Sequence, residues 1–161
     1  MVRKIFDEQL SELKDLLVKM GQLNCEAIAD AVTALETQDT ELARRTKGVE
    51  RLVDEKEQQI ERLCLKIILK QQPVASDLLF VTSAMKMITD MERIGDQAAD
   101  IAELTRFVQV PEGTGAPHIA DMARAVIAMV TDSVDSFVKR DLDLARAVCR
   151  ADDKVDALFQ Q

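Results

Sequence analysis

Aromatic residues are nearly missing from this sequence. Tryptophan and tyrosine do not occur, and 161 residues contain only five phenylalanines, five glycines and three prolines. An all-β sandwich or barrel draws on aromatic and β-branched residues and on many turn glycines, so this composition excludes that class. One histidine, His118, is present. A Ser–His–acid or Cys–His arrangement would have to recruit it from a linker, which argues against nucleophilic catalysis. The three cysteines, Cys25, Cys64 and Cys149, are odd in number and far apart. They form neither a disulfide framework nor a zinc-ligand spacing, and they suit a reducing cytoplasm. No apolar run approaches the ~20 residues of a membrane span, and the first residues lack the apolar segment of a signal peptide. Basic residues are outnumbered, 21 against 29, for a formal net charge of −8. Phosphate-backbone binding needs clustered Lys and Arg, so nucleic acid is excluded as the main partner. No glycine-rich phosphate-cradling loop is visible.

What remains is helix. Apolar residues account for 47% of the chain and charged residues for 31%. Few breakers and abundant Ala, Leu, Glu, Lys and Arg favour long helices. The steps from Phe6 through Leu10, Leu13, Leu17 and Met20 to Ile28, Ala31, Val32 and Leu35 trace one face of a first helix over 5–36. Thr37-Gln38-Asp39-Thr40 interrupts it and supplies capping groups. A second helix over 40–71 places Leu42, Val49, Leu52, Val53, Ile60, Leu63, Cys64 and Ile67 in stripe, and Pro73 ends it. A third helix opens at Pro73 or Ser76 and runs to about Gln109. Its expected buried side holds Leu79, Ala84, Met87, Ile88, Met91, Ile94, Ala98 and Ile101. Gly95 inside it costs ~1 kcal/mol against Ala, which a close helix–helix approach would offset. Residues 111–117 read as a linker. A fourth helix follows over 118–139, and a fifth begins near Asp141.

An internal repeat relates the two halves. At an offset of 102, Asp39 falls on Asp141, Leu42-Ala43-Arg44 on Leu144-Ala145-Arg146, and Val53-Asp54 on Val155-Asp156. The expected architecture is all-α: an antiparallel bundle of long helices built from tandem three-helix repeats. The first repeat spans 1–110 and the second, over 118–161, is incomplete. A third helix of the second repeat is missing from the sequence, which leaves two expectations. Either the gene product is shortened, or the last two helices pack against another chain in a homodimer.

The chemistry-bearing pattern is acidic. Glu50 and Asp54 are four apart on the second helix, and Glu92 and Asp96 repeat that spacing on the third. At ~100° per residue each pair shares a helix face. Glu57, Glu61 and Glu103 fall in the same sectors and Asp100 on the flank. If the two helices are antiparallel neighbours, the pairs face each other. Converging carboxylates repel unless a cation compensates, and an all-oxygen set takes hard ions or iron. The bland alternative is a solvated face, with Lys47, Arg51, Arg62 and Arg93 as ion-pair partners. Asp152 and Asp156 repeat the first pair at the offset of the duplication.

Glu92-Arg93-Ile94-Gly95-Asp96 resembles the E-R-I-G-D signature of the PhoU family of phosphate-transport regulators. Gln71-Gln72-Pro73-Val74-Ala75-Ser76-Asp77-Leu78 is similar to the segment that precedes it there. Gly48-Val49-Glu50-Arg51-Leu52-Val53-Asp54 resembles the motif of the second helix, and Asp152-Asp153-Lys154-Val155-Asp156 its second copy. The resemblance implies a cytoplasmic, non-enzymatic negative regulator of phosphate uptake and phosphate-starvation signalling. It implies coupling between subunits of a phosphate ABC transporter and a sensor histidine kinase, with membrane contact only through those partners. It implies a metal site at Glu50, Asp54, Glu92 and Asp96, with Asp100 beside them and Asp152 and Asp156 as a weaker second set. The ion would be Mg, Mn, Zn or Fe. The alternatives are an accessory protein of a phosphate permease, or a carboxylate-bundle iron protein, which the missing E-x-x-H motifs disfavour.

Overall fold

The computed structural model describes residues 2–109 and 116–160. Five helices follow in order: α1 (Val2–Thr37), α2 (Thr40–Gln71), α3 (Ala75–Glu103), α4 (Ala116–Val138) and α5 (Leu142–Phe159). A single 3-10 turn, Leu104–Arg106, extends α3. No strand occurs among the described residues, so the all-α expectation holds.

Polar side chains set the boundaries. Asp39 caps α2, its Oδ1 accepting from the backbone N–H groups of Glu41 and Leu42 at 3.1 Å each. Asp141 caps α5 in the same way, accepting from the Leu144 N–H at 3.0 Å. The residue before each cap is left-handed, Gln38 at φ 57° and Arg140 at φ 54°. Cap and turn thus recur at the offset of the sequence repeat.

α1, α2 and α3 pack on one another around a core that includes Leu13, Leu17, Met20, Val53, Ile60, Ile67, Val81 and Ala84, all fully buried. α4 lies along α1 through Val130 and Val134. Gly21 permits that contact: a Cβ there would stand 3.1 Å from Val134 Cγ2. Phe137 stacks on Phe80 with ring centroids 4.5 Å apart. α5 packs on α4 and on no other described helix, and none of its residues is buried.

Several details correct the sequence reading. α3 ends at Glu103 rather than Gln109, because the chain tightens into the 3-10 turn at Leu104. The linker expected over 111–117 lies largely outside the described residues, and α4 already includes 116 and 117. Proline in a first turn leaves no intrahelical donor missing. Leu79 is 67% exposed and Leu52 45%. Both point away from the three-helix core. Phe80 and Val81 take the buried positions that Leu79 was expected to share.

Candidate metal centre

The α2–α3 contact brings the two acidic pairs together. Oxygens of Asp54, Glu92 and Asp96 lie within 4.8 Å of one another. Gly95 makes this approach feasible: a Cβ there would come within 3.1 Å of Val53 Cγ1 and 3.2 Å of Asn24 Oδ1. Its neighbours Glu92 and Asp96 are thereby carried up to Asp54, which follows Val53 on α2.

Asn24 supports the same point from α1. It is fully buried, and its Nδ2 donates to the Met91 carbonyl at 2.9 Å, tying α1 to the turn of α3 that carries Glu92. Sequence reasoning missed it. The signal was a lone amide in an otherwise apolar stripe between Met20 and Ile28.

The charges in the cluster are uncompensated. None of the ion pairs among the described residues includes Glu50, Asp54, Glu57, Glu92 or Asp96. Two of the cations expected as their partners are engaged elsewhere. Lys47 holds Glu103 at 2.7 Å, and Arg93 faces Asp90 at 3.8 Å. Asp54 Oδ1 is buried and has no hydrogen-bond partner. Three converging carboxylates, one of them with an orphaned oxygen, make a donor set that a cation would complete.

Protonation follows from this crowding. Glu92 is pushed up to about 7, first by a hydrogen bond with Asp96 that favours its protonated form, then by burial and by the charges of Asp96, Glu57 and Asp54. Burial raises Glu50, with the Asp96 hydrogen bond and the charges of Asp96, Asp54 and Asp100 adding to it. Asp54 is raised by burial and by Asp96, against an opposing hydrogen bond with Glu92. Glu57, which the spacing had placed in this sector, is raised by burial and by Asp54, Glu61 and Asp96. Glu103 is set apart, since its Lys47 partner lowers it.

Asp54, Glu92 and Asp96 therefore converge, while Glu50 lies outside the 4.8 Å group and is raised in part by the charges of Asp96 and Asp54. Asp100 is exposed and acts on the cluster only through its charge. Asp152 and Asp156 are exposed on α5 and belong to no such group among the described residues.

The family model of the PhoU domain matches residues 17–105 and 119–161. The chain belongs to the PhoU family. A phosphate-specific transport system accessory protein PhoU homolog of Clostridium acetobutylicum is 37% identical over 163 residues, covering 100% of this chain and 74% of its own length. The PhoU homolog of Aquifex aeolicus is 39% identical, covering 98% of this chain and 72% of its own. The crystal structure of PhoU from Pseudomonas aeruginosa superposes with a TM-score of 0.86 at 31% identity, over 96% of this chain and 75% of that one. The PhoU bundle thus accounts for the helical order seen here.

Proposed function

We propose that this PhoU-family chain is a non-enzymatic accessory protein of phosphate-specific transport, and that its α2–α3 carboxylates hold a metal ion. The relatives named as accessory proteins of that transport system support the first part. The single observation that carries the second is the convergence of Asp54, Glu92 and Asp96, each offering a carboxylate oxygen within 4.8 Å of the others. Asp54, Glu92 and Asp96 are the ligands, with Glu50 as a fourth carboxylate on the same face of α2 as Asp54. An all-carboxylate set fits Mg²⁺, Mn²⁺, Zn²⁺ or iron. A bound ion would supply the positive charge that lets these carboxylates ionise together.

In this reading the protein is a cytoplasmic homodimer and a negative regulator. Its helical surfaces couple the transporter to a sensor histidine kinase and restrain phosphate uptake and starvation signalling. No helix among the described residues is long and apolar enough to cross a membrane. Copurification with the nucleotide-binding subunit of a phosphate transporter and with the kinase is the test. Capture of at least one is expected; capture of neither refutes the regulatory role.

A further inference from the structure

The end of α2 and the connection to α3 form a basic and apolar surface on this acidic molecule. From Arg62 to Ser76 the sequence has no acidic residue and three basic ones. On α2, Leu65 and Leu69 stand one turn apart on the side opposite the buried Ile60, Cys64 and Ile67, and are 45% and 75% exposed. At 100° per residue, Arg62, Lys66 and Lys70 lie along one flank of that apolar strip. The connection adds Val74, 75% exposed, between a buried Pro73 and the left-handed Ala75 at φ 51°. Arg62, Lys66 and Lys70 take part in no ion pair among the described residues. The next acid along the chain, Asp77, is occupied by Arg3 at 3.4 Å and Arg140 at 3.8 Å.

We propose that Leu65, Leu69 and Val74, flanked by Arg62, Lys66 and Lys70, dock this end of the bundle directly on an anionic lipid surface. Charge complementarity selects the occupant. Unpaired cations beside an exposed apolar strip match a bilayer interface, where Leu enters the acyl boundary and Lys meets the headgroups. A protein partner fits less well. Such interfaces are depleted in Lys and anchored by aromatic residues, and this surface has two Lys and no aromatic. The apolar contribution is small, so binding is reversible and salt-sensitive.

The test is co-sedimentation of the full chain with vesicles of phosphatidylglycerol or of phosphatidylcholine, at 50 mM and at 500 mM salt. Binding to phosphatidylglycerol at low salt is expected, with none to phosphatidylcholine and loss at high salt. Lys66→Gln and Lys70→Gln should each weaken it by about fivefold. Leu69→Gln with Val74→Gln should weaken it by roughly tenfold or more. Phe107→Gln, which removes an apolar residue 76% exposed beyond the far end of α3, should leave it unchanged. All five positions are exposed, and thermal melts would show that the variants remain folded. Absence of binding to phosphatidylglycerol overturns the proposal. So does binding that the patch variants leave intact, or a requirement for these residues only in capture of a protein partner.

Discussion

Gly95 and Gly48 both sit inside helices, and replacing each by Ala should move stability in opposite directions. In a helix interior the exchange gains about 1 kcal/mol from backbone entropy and propensity. At Gly48 a new methyl meets nothing within 4 Å, so that gain should appear nearly whole. At Gly95 the methyl would stand 3.1 Å from Val53 Cγ1, 3.2 Å from Asn24 Oδ1 and 3.4 Å from Val53 Cβ. Neither neighbour can yield easily. Val53 is fully buried and β-branched, with one favoured rotamer in a helix. Asn24 is fully buried and held by its 2.9 Å bond to Met91. Overpacking of this kind costs about 1–3 kcal/mol, which exceeds the propensity gain and leaves Gly95→Ala about 1 kcal/mol less stable. For a chain of this size each kcal/mol moves the melting temperature by roughly 2–4 °C. Thermal melts followed by helical circular dichroism, with urea midpoints as a second measure, should place Gly48→Ala above and Gly95→Ala below the parent. Equal stabilisation of both would show that α3 does not approach α2 and α1 as described, and would undo the geometry of the carboxylate cluster.

Three further outcomes follow from the same contacts. Asp54→Asn removes a charge whose repulsion at 4.8 Å is about 1 kcal/mol in water-like surroundings and about 3.5 kcal/mol at an effective dielectric of 20. Without metal its melting temperature should rise, and with saturating divalent ion it should fall relative to the parent. A shift of the same sign in both conditions would sink the ligand assignment. Glu92 carries a folded-state value of about 7 against an ordinary value near 4.5, so the folded chain binds the extra proton between them. Metal-free protein should therefore lose stability as pH rises from about 5 through 7, and Glu92→Gln should flatten that slope; melts across this range decide it. Asp39→Ala should cost about 1 kcal/mol by leaving the Glu41 and Leu42 N–H groups without their acceptor, and an unchanged urea midpoint would contradict the cap.

The α2 stripe and its ends were legible in the sequence because period, cap and proline agreed, so α2 runs over 40–71 in both readings. The α3 face was only partly legible. Leu79 and Phe80 are adjacent and both apolar, and only the position of α1 and α4 makes Phe80 the buried one, stacked on Phe137. The acidic spacing told which carboxylates share a face. It could not tell that Lys47 goes to Glu103 and leaves Asp54 uncompensated, because partner choice depends on the lateral distance between helices. Gly95 carried the right hint of a close approach, while Asn24 fell on the α1 stripe between Met20 and Ile28 with nothing in the spacing to name Met91 as its partner.

Metal content of the purified chain is the most direct test of the central claim. Protein loaded with Mg²⁺, Mn²⁺, Zn²⁺ or ferrous iron and then desalted would be analysed by elemental mass spectrometry, beside the double variant Asp54→Asn, Glu92→Gln. Retention of at least one ion per parent chain, with loss in a variant that keeps its helical content, is the predicted result. A parent chain that retains none of the four ions, or a variant that retains as much as the parent, would contradict it.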